Sequence, residues 1–163
     1  MTRRFVAVAL LVVGSAALPV AAWRAVTLTT RTEGLVRVAS LPWSRVNGAW
    51  SADSIRPGPI ALLFVQSRCP HCAPTAREFD TIVRDASRQA VIVAADTAAA
   101  AVAYAVTLGV RTPLVADRDR VLFRALGVTA VPAVVRIEID GHVRRLVGSV
   151  PRRMLRHFVL DTP

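Results

Sequence analysis

The chain has 163 residues, a formal net charge of +10 at pH 7 and no lysine, so all 21 basic residues are arginines. The arginines are spread along the chain without interleaved aromatic residues or a known nucleic-acid-binding motif. This pattern argues against a nucleic-acid partner, and it favours a solvated surface or attraction to anionic lipid headgroups.

The N-terminus predicts export. Residues 1–4 are basic, and residues 5–22 contain no charged side chain, a length that just spans a bilayer. Val20-Ala21-Ala22 resembles a signal-peptidase cleavage site, whereas Trp23 is typical of an interfacial anchor. We therefore interpret residues 1–26 as a signal anchor or a signal peptide, and we favour the retained anchor.

The basic N-terminus remains in the cytoplasm, so the chain from Trp23 onward lies on the extracytoplasmic side of the bacterial inner membrane. After cleavage the protein would instead be secreted or soluble in the periplasm. Residues 27–34 are polar and are interpreted as a tether. Residues 35–163 have the length of a single domain.

This domain is predicted to be α/β. Short apolar runs between turn residues indicate buried strands, and apolar residues spaced three and four apart indicate helices. Asn47-Gly48 is typical of a hairpin turn, and Asp140-Gly141 predicts a second hairpin that pairs Ile139 with Val143. In chain order, the predicted elements are strands 35–38 and 60–65, helix 75–86, strand 91–95, helix 97–108, strand 114–116, helix 118–126, strands 133–139 and 143–147, and a helix after Pro151.

The tetrapeptide Cys69-Pro70-His71-Cys72 holds both cysteines and lies between a predicted strand and a predicted helix. Two thiols at this spacing can form a disulfide. The helix dipole and its unpaired N–H groups stabilise a thiolate at Cys69, while Cys72 is one turn further in and more shielded. We predict a redox-active disulfide with Cys69 as the nucleophile and Cys72 as the resolving thiol. Arg68, Pro70 and His71 are predicted to tune it.

Other roles for the cysteines are weaker. A structural disulfide is disfavoured because so short a loop constrains the unfolded chain little. A metal site needs about four ligands, and Cys69, Cys72 and His71 supply at most three, so we predict no metal and no cofactor. A copper-handling chaperone that binds Cu(I) through the two thiolates remains an alternative, as does a binding module without catalytic activity.

Two segments carry a family resemblance. Phe64 to Cys72 contains the motif, and Leu126 to Pro132 ends in Val-Pro before a strand, with an additional helix and strand at 97–117 between them. Together with the element order, they resemble the thioredoxin fold in its TlpA/ResA-like form over residues 35–160. The resemblance implies a three-layer sandwich with a mixed central sheet and a helix–strand insert.

The resemblance also implies a function and further site residues. It implies an exported or membrane-tethered thiol–disulfide oxidoreductase, whose clients are proteins with disulfides or thiols and whose CxxC is reset by a membrane redox partner. In this family the bond between Val131 and Pro132 is cis and faces the disulfide. The Val131 backbone then binds the client, and Pro132 keeps other ligands off the thiols.

The sequence departs from the family at several positions. Arg68 stands where many relatives have tryptophan, and Leu63 replaces the buried acid that accepts a proton in thioredoxins. We expect Glu78 and Asp80 to face solvent, and we expect Pro74 to distort the first turn of the helix.

The direction of electron transfer is open to two arguments. Pro-His between the cysteines and Arg68 beside them stabilise the thiolate, which favours an oxidant. The TlpA/ResA-like architecture instead implies a reductant, for example in cytochrome c maturation. We favour the reductant.

Overall fold

The computed structural model describes residues 35–48, 50 and 52–161. The predicted anchor at 1–26 and the predicted tether at 27–34 lie outside the described residues. Within the described ranges, no helix is long and apolar enough to cross a membrane. The helices and strands are β1 (Asn47–Gly48), β2 (Ile60–Val65), α1 (Cys72–Asp85), β3 (Ala90–Ala94), α2 (Ala98–Leu108), β4 (Leu114–Ala116), α3 (Val121–Ala125), β5 (Ala133–Ile137), β6 (Val143–Val147) and α4 (Arg152–Leu160).

The strands form one mixed sheet in the order β1-β4-β3-β2-β5-β6. Strands β2, β3 and β4 are parallel, and β5 runs antiparallel to β2 with Ala133 opposite Phe64. The parallel strands are nearly uninterrupted apolar runs because both of their faces are covered. This mixed sheet is the arrangement that the family resemblance implies.

Two apolar clusters fill the space on either side of the sheet. One contains the alternate β2 residues Leu63 and Val65 together with the buried faces of α1, α2 and α4. The other contains Leu62 and Phe64 together with α3 and the segment before β2. The sheet is therefore the middle layer of three, as predicted, and the two-residue alternation of β2 sends its side chains into both clusters.

The N-terminal part of the domain differs from the prediction. Residues 35–38 form no strand, and Asn47-Gly48 is not a hairpin turn but a short strand that pairs antiparallel with β4. A Cβ atom at Gly48 would lie 2.7 Å from the backbone oxygen of Leu114, so only glycine allows the two strands to approach this closely. Gly48 is therefore required by a tertiary contact and not by a turn, so the predicted hairpin at Asn47-Gly48 is wrong.

The β5–β6 hairpin has the predicted loop length in a different position. Ile137 pairs with Val143, so the loop consists of residues 139–141 rather than 140–142. Gly141 adopts a φ of 88° at the third loop position, where a three-residue hairpin needs a left-handed residue. The predicted pairing of Ile139 with Val143 is therefore wrong, and Ile139 is 78% exposed.

The beginning of the described domain lies at the end of the sheet away from the cysteines. The backbone N–H of Val36 donates to the carbonyl of Gly141 in the β5–β6 turn at 2.9 Å. Strand β5 begins beside Phe64, close to the cysteine motif, and runs towards this turn. The chain therefore enters the domain opposite Cys69.

Asp80 is buried, in contrast to the predicted exposure. One of its carboxylate oxygens accepts hydrogen bonds from the Thr112 N–H, the Thr112 hydroxyl and the Arg111 N–H at 2.7, 2.7 and 2.9 Å. Burial by itself raises the pKa of Asp80, but these hydrogen bonds and the nearby charge of Arg84 hold it below its ordinary value. Asp80 therefore fixes the segment between α2 and β4 to helix α1.

Replacement of this carboxylate should produce a pH-dependent loss of stability. Because the pKa of Asp80 is lowered on folding, its stabilisation is complete above the unfolded-state pKa of about 3.9 and is lost as the pH falls through the folded-state value. We expect Asp80→Asn to lower the free energy of unfolding by about 1–3 kcal/mol at pH 7. In urea denaturation, the difference from wild type should shrink below about pH 4.

Asp85→Asn is the matched control, since Asp85 is exposed on the same helix. A loss that is equal in the two variants, or independent of pH, would contradict this role of Asp80.

Candidate active site

The cysteine motif lies between the end of β2 and the start of α1. The N–H of Cys69 donates to the backbone carbonyl of Gln66 at 3.0 Å, and the N–H of Cys72 donates to the backbone carbonyl of Cys69 at 3.1 Å. These two turns bring the Cα atoms of the cysteines to 5.3 Å, and a disulfide joins them. Helix α1 begins at Cys72.

The two sulfur-bearing residues have different environments. Cys72 is fully buried in the apolar cluster between the sheet and helices α1, α2 and α4, whereas Cys69 is partly exposed and packs against that cluster. A thiolate from another molecule can reach the Cys69 side of the disulfide more easily than the Cys72 side. This difference in exposure suits thiol–disulfide exchange, because the exposed sulfur can react with another molecule and the buried sulfur can then resolve the mixed disulfide.

Pro74 does not distort the helix. Because α1 begins at Cys72, Pro74 is its third residue, where the backbone N–H would have no intrahelical acceptor. The missing N–H is therefore tolerated there. The expected distortion of the first turn is wrong because the helix begins earlier than predicted.

Val131 lies close to the disulfide, and Pro132 follows it, although both are some sixty positions away in sequence. The peptide bond between them is cis, and the Val131 carbonyl oxygen is 4.0 Å from the Cys69 sulfur. Pro132 is buried, and its carbonyl accepts a hydrogen bond of 2.8 Å from the Gly148 N–H. The structure thus brings both predicted client-binding residues to the cysteines.

The charged side chains around the motif are exposed. Arg68 and His71 both face solvent, whereas the apolar side chain of Leu63 is fully buried in β2. Among the residues that the structure describes, no group of three or more histidine, cysteine or acidic side chains is arranged to hold a metal ion.

Asp96 is a residue that the sequence analysis did not single out. It follows β3, and its two carboxylate oxygens accept hydrogen bonds from the N–H and the hydroxyl of Ser67, each at 2.8 Å. Ser67 belongs to the loop that carries Cys69, so Asp96 holds this loop in position. Burial raises the pKa of Tyr104, and the charge of Asp96 adds to that shift. Its position directly after a predicted buried strand was the sequence signal that could have identified Asp96.

Comparisons with known proteins agree with this fold. The MTB dsbF protein has a TM-score of 0.61 at 24% identity, with 66% of this chain and 83% of the other covered. A secreted disulfide oxidoreductase of Mycobacterium tuberculosis homologous to E. coli DsbE has a TM-score of 0.60 at 19% identity, covering 68% and 86%. StoA from Bacillus subtilis has a TM-score of 0.56 at 16% identity, covering 65% and 85%. No curated protein matches the chain significantly.

The fold defines the class, a thioredoxin-like protein, and a disulfide joins its two cysteines. The model of the AhpC/TSA family matches residues 40–146, which is more than half of the chain. The chain therefore belongs to the AhpC/TSA family. The predicted thioredoxin-like fold is confirmed at this level.

Proposed function

We propose that this protein exchanges disulfides with client proteins through Cys69 and Cys72 on the extracytoplasmic side of the bacterial inner membrane. The observation that carries the proposal is the disulfide itself, with one partly exposed and one fully buried cysteine beside the Val131 carbonyl. The comparisons support the fold that such chemistry uses.

The proposed reaction has two displacement steps. The Cys69 thiolate attacks a client disulfide, so a Cys69–client sulfur bond forms and one client thiolate leaves. The Cys72 thiolate then attacks Cys69, the Cys69–Cys72 bond forms, and the second client thiolate leaves. The client gains two electrons and the protein loses two, which a membrane redox partner returns.

The surrounding residues have supporting roles in this proposal. Arg68 adds positive charge beside the Cys69 thiolate, and Pro70 and His71 set the potential from between the cysteines. The Val131 backbone hydrogen-bonds an extended client segment, and Pro132 keeps competing ligands away from the sulfur atoms. With Leu63 in place of an acid, water accepts the proton of Cys72.

The proposed direction is reduction of clients, and the reduction potential of the Cys69–Cys72 couple tests it. We expect a potential close to the roughly −270 mV of thioredoxin, measured by equilibration of the purified protein with dithiothreitol mixtures. A potential near the roughly −120 mV of DsbA would establish an oxidant instead. A couple that never exchanges with dithiothreitol would contradict the redox function itself.

The proposed location rests on the N-terminal sequence and on where the domain begins. If residues 1–26 remain in the membrane, the chain enters the domain at Val36, beside Gly141, at the end of the sheet opposite the cysteines. We expect the full chain to fractionate with bacterial membranes and to resist carbonate extraction. Recovery of a soluble form that begins near Trp23 would contradict the anchor but not the export.

A further inference from the structure

A cavity of about 470 Å³ opens beside the loop that carries Cys69. In the sheet, β2 lies between β3 and β5, so the loop after β2 has two flanks. Val131 precedes β5 on one flank, and the cavity lies on the other, beyond the ends of β3 and β4. The residues that line it include Ser67, Arg68, Asp96, Thr97, Ala100 and Arg118.

The positive charges in this cavity are available to a ligand. Arg68 and Arg118 are both exposed, and neither forms an ion pair or side-chain hydrogen bond with another described residue. Asp96 is the carboxylate that lines the cavity, and both its oxygens accept hydrogen bonds from Ser67. The two guanidinium groups therefore keep free donors, while the one acid is already bonded to the loop.

The start of α2 adds to the positive potential. This helix has 11 residues, and its N-cap Thr97 accepts a hydrogen bond from the Ala100 N–H at 3.4 Å. The N–H groups of Ala98 and Ala99 precede the first intrahelical bond and have no acceptor within the helix. Partial positive charge at the helix start thus lies on the same cavity as the two arginines.

We propose that this cavity binds the carboxylate of an acidic side chain of the client protein, near the client cysteine that Cys69 attacks. Arg68 precedes Cys69 directly, so the cavity and the reactive sulfur share one loop. A client segment that hydrogen-bonds to the Val131 backbone can extend past Cys69 onto the arginine-lined flank. Guanidinium groups bind carboxylates through two parallel hydrogen bonds, which makes glutamate or aspartate the matching side chain.

This inference rests on the proposed function and makes acidic residues a specificity determinant of that function. The probes are two peptides that each carry one disulfide and differ only in having glutamate or glutamine residues beside it. The full-length protein is used in detergent with dithiothreitol as the electron donor, and the rate without protein is subtracted. We expect it to reduce the glutamate peptide with ~5-fold higher kcat/KM, which is the size of effect that one solvent-accessible charge pair produces. The measured quantity is the ratio of the kcat/KM values for the two peptides. A substitution that changes the reduction potential of the Cys69–Cys72 couple affects both values alike, so it leaves this ratio unchanged.

The variants separate the cavity from the general positive charge of the protein. Arg118→Gln should reduce the ratio to near one, and Arg118→Glu should invert it. Arg153→Gln changes the net charge equally, and Arg153 is exposed on α4 among residues that do not line the cavity. It should leave the ratio unchanged. In the wild-type protein, raising the salt concentration to about 1 M should also bring the ratio towards one.

The outcomes distinguish this inference from the proposed function. Equal rates for the two peptides, or the same ratio in the Arg118→Gln and Arg153→Gln variants, would overturn the inference while leaving the oxidoreductase activity intact. Failure to reduce either peptide would overturn the proposed function and the inference with it.

Discussion

Replacement of Cys72 by serine is expected to trap a covalent complex with a client, whereas replacement of Cys69 traps none. The partly exposed Cys69 can still attack a client disulfide in the Cys72→Ser variant, but no resolving thiol remains to break the mixed bond. Turnover in both variants should fall below about 1% of wild type, because the two sulfur atoms act as a unit.

The complex should be visible by non-reducing electrophoresis after acid trapping, and it should disappear on reduction. Cys72→Ala is the matched control, because Cys72 is 0% exposed among apolar side chains and serine would bury a hydroxyl there. Both Cys72 variants should trap the same complex. Faster alkylation of Cys72 than of Cys69 in the reduced protein would reverse the assigned roles.

Neither substitution should unfold the domain. A disulfide that closes so short a loop contributes about 2 kcal/mol or less by the chain-entropy argument. The domain should therefore remain folded when dithiothreitol reduces the wild-type protein, with its far-ultraviolet circular dichroism retained. Unfolding on reduction would make the pair a structural crosslink.

The second large effect is expected at Glu138, which neutralises a buried arginine. Arg136 on β5 is 1% exposed and lies on the face of the sheet that α4 covers. Its Nε and Nη2 atoms contact the two carboxylate oxygens of Glu138 at 2.9 and 3.0 Å, and Nη1 donates to the Phe158 carbonyl at 3.3 Å. Nη2 donates a hydrogen bond to Oε2, whereas Nε lies at ion-pair distance from Oε1 without hydrogen-bond geometry. This ion pair compensates much of the cost of burying both charges.

Glu138→Gln should therefore lower the free energy of unfolding by about 3–5 kcal/mol, because it leaves an uncompensated cation inside the protein. This is a large fraction of the 5–15 kcal/mol that roughly defines domain stability. The measurement is urea denaturation at pH 7, with a lower midpoint and an unchanged slope.

Two further variants make this prediction specific. Glu78→Gln on α1 is the same chemical change at a partly exposed site and should have little effect. Arg136→Met combined with Glu138→Leu should recover most of the loss, since removing both charges also removes the cost of burying them. A loss below 1 kcal/mol for Glu138→Gln would show that water reaches Arg136.

Local patterns predicted the elements around the cysteines because those elements depend on neighbouring residues. The apolar run 60–65 and the helical spacing of Phe79, Ile82 and Val83 were visible in the sequence, and the structure has β2 and α1 there. The residue at which α1 begins was harder to predict from the sequence. Because of the turn between Cys69 and Cys72, the helix begins at Cys72 and not at residue 75. Pro74 therefore lies in the first turn, where proline is tolerated.

The functions of individual polar residues depended on distant partners. Asp80 was expected in solvent, yet it binds Thr112 of another segment. Asp96 was overlooked, yet it binds Ser67 of the active-site loop. Glycine was equally ambiguous, because Gly48 is required by the approach of Leu114 rather than by a turn. Short-range periodicity carries no information about such contacts.

The sequence by itself determined the α/β class, the position of the CxxC between strand and helix, and the resemblance that implied Val131 and Pro132. These features follow from periodicity and from motifs within a few residues of one another. Only the tertiary structure decided which sulfur is exposed and which acids are buried, and it alone placed Arg68 and Arg118 on one cavity. The physical reason is that burial, pKa and charge clustering depend on which strands become neighbours in the sheet, and residues far apart in sequence decide that order.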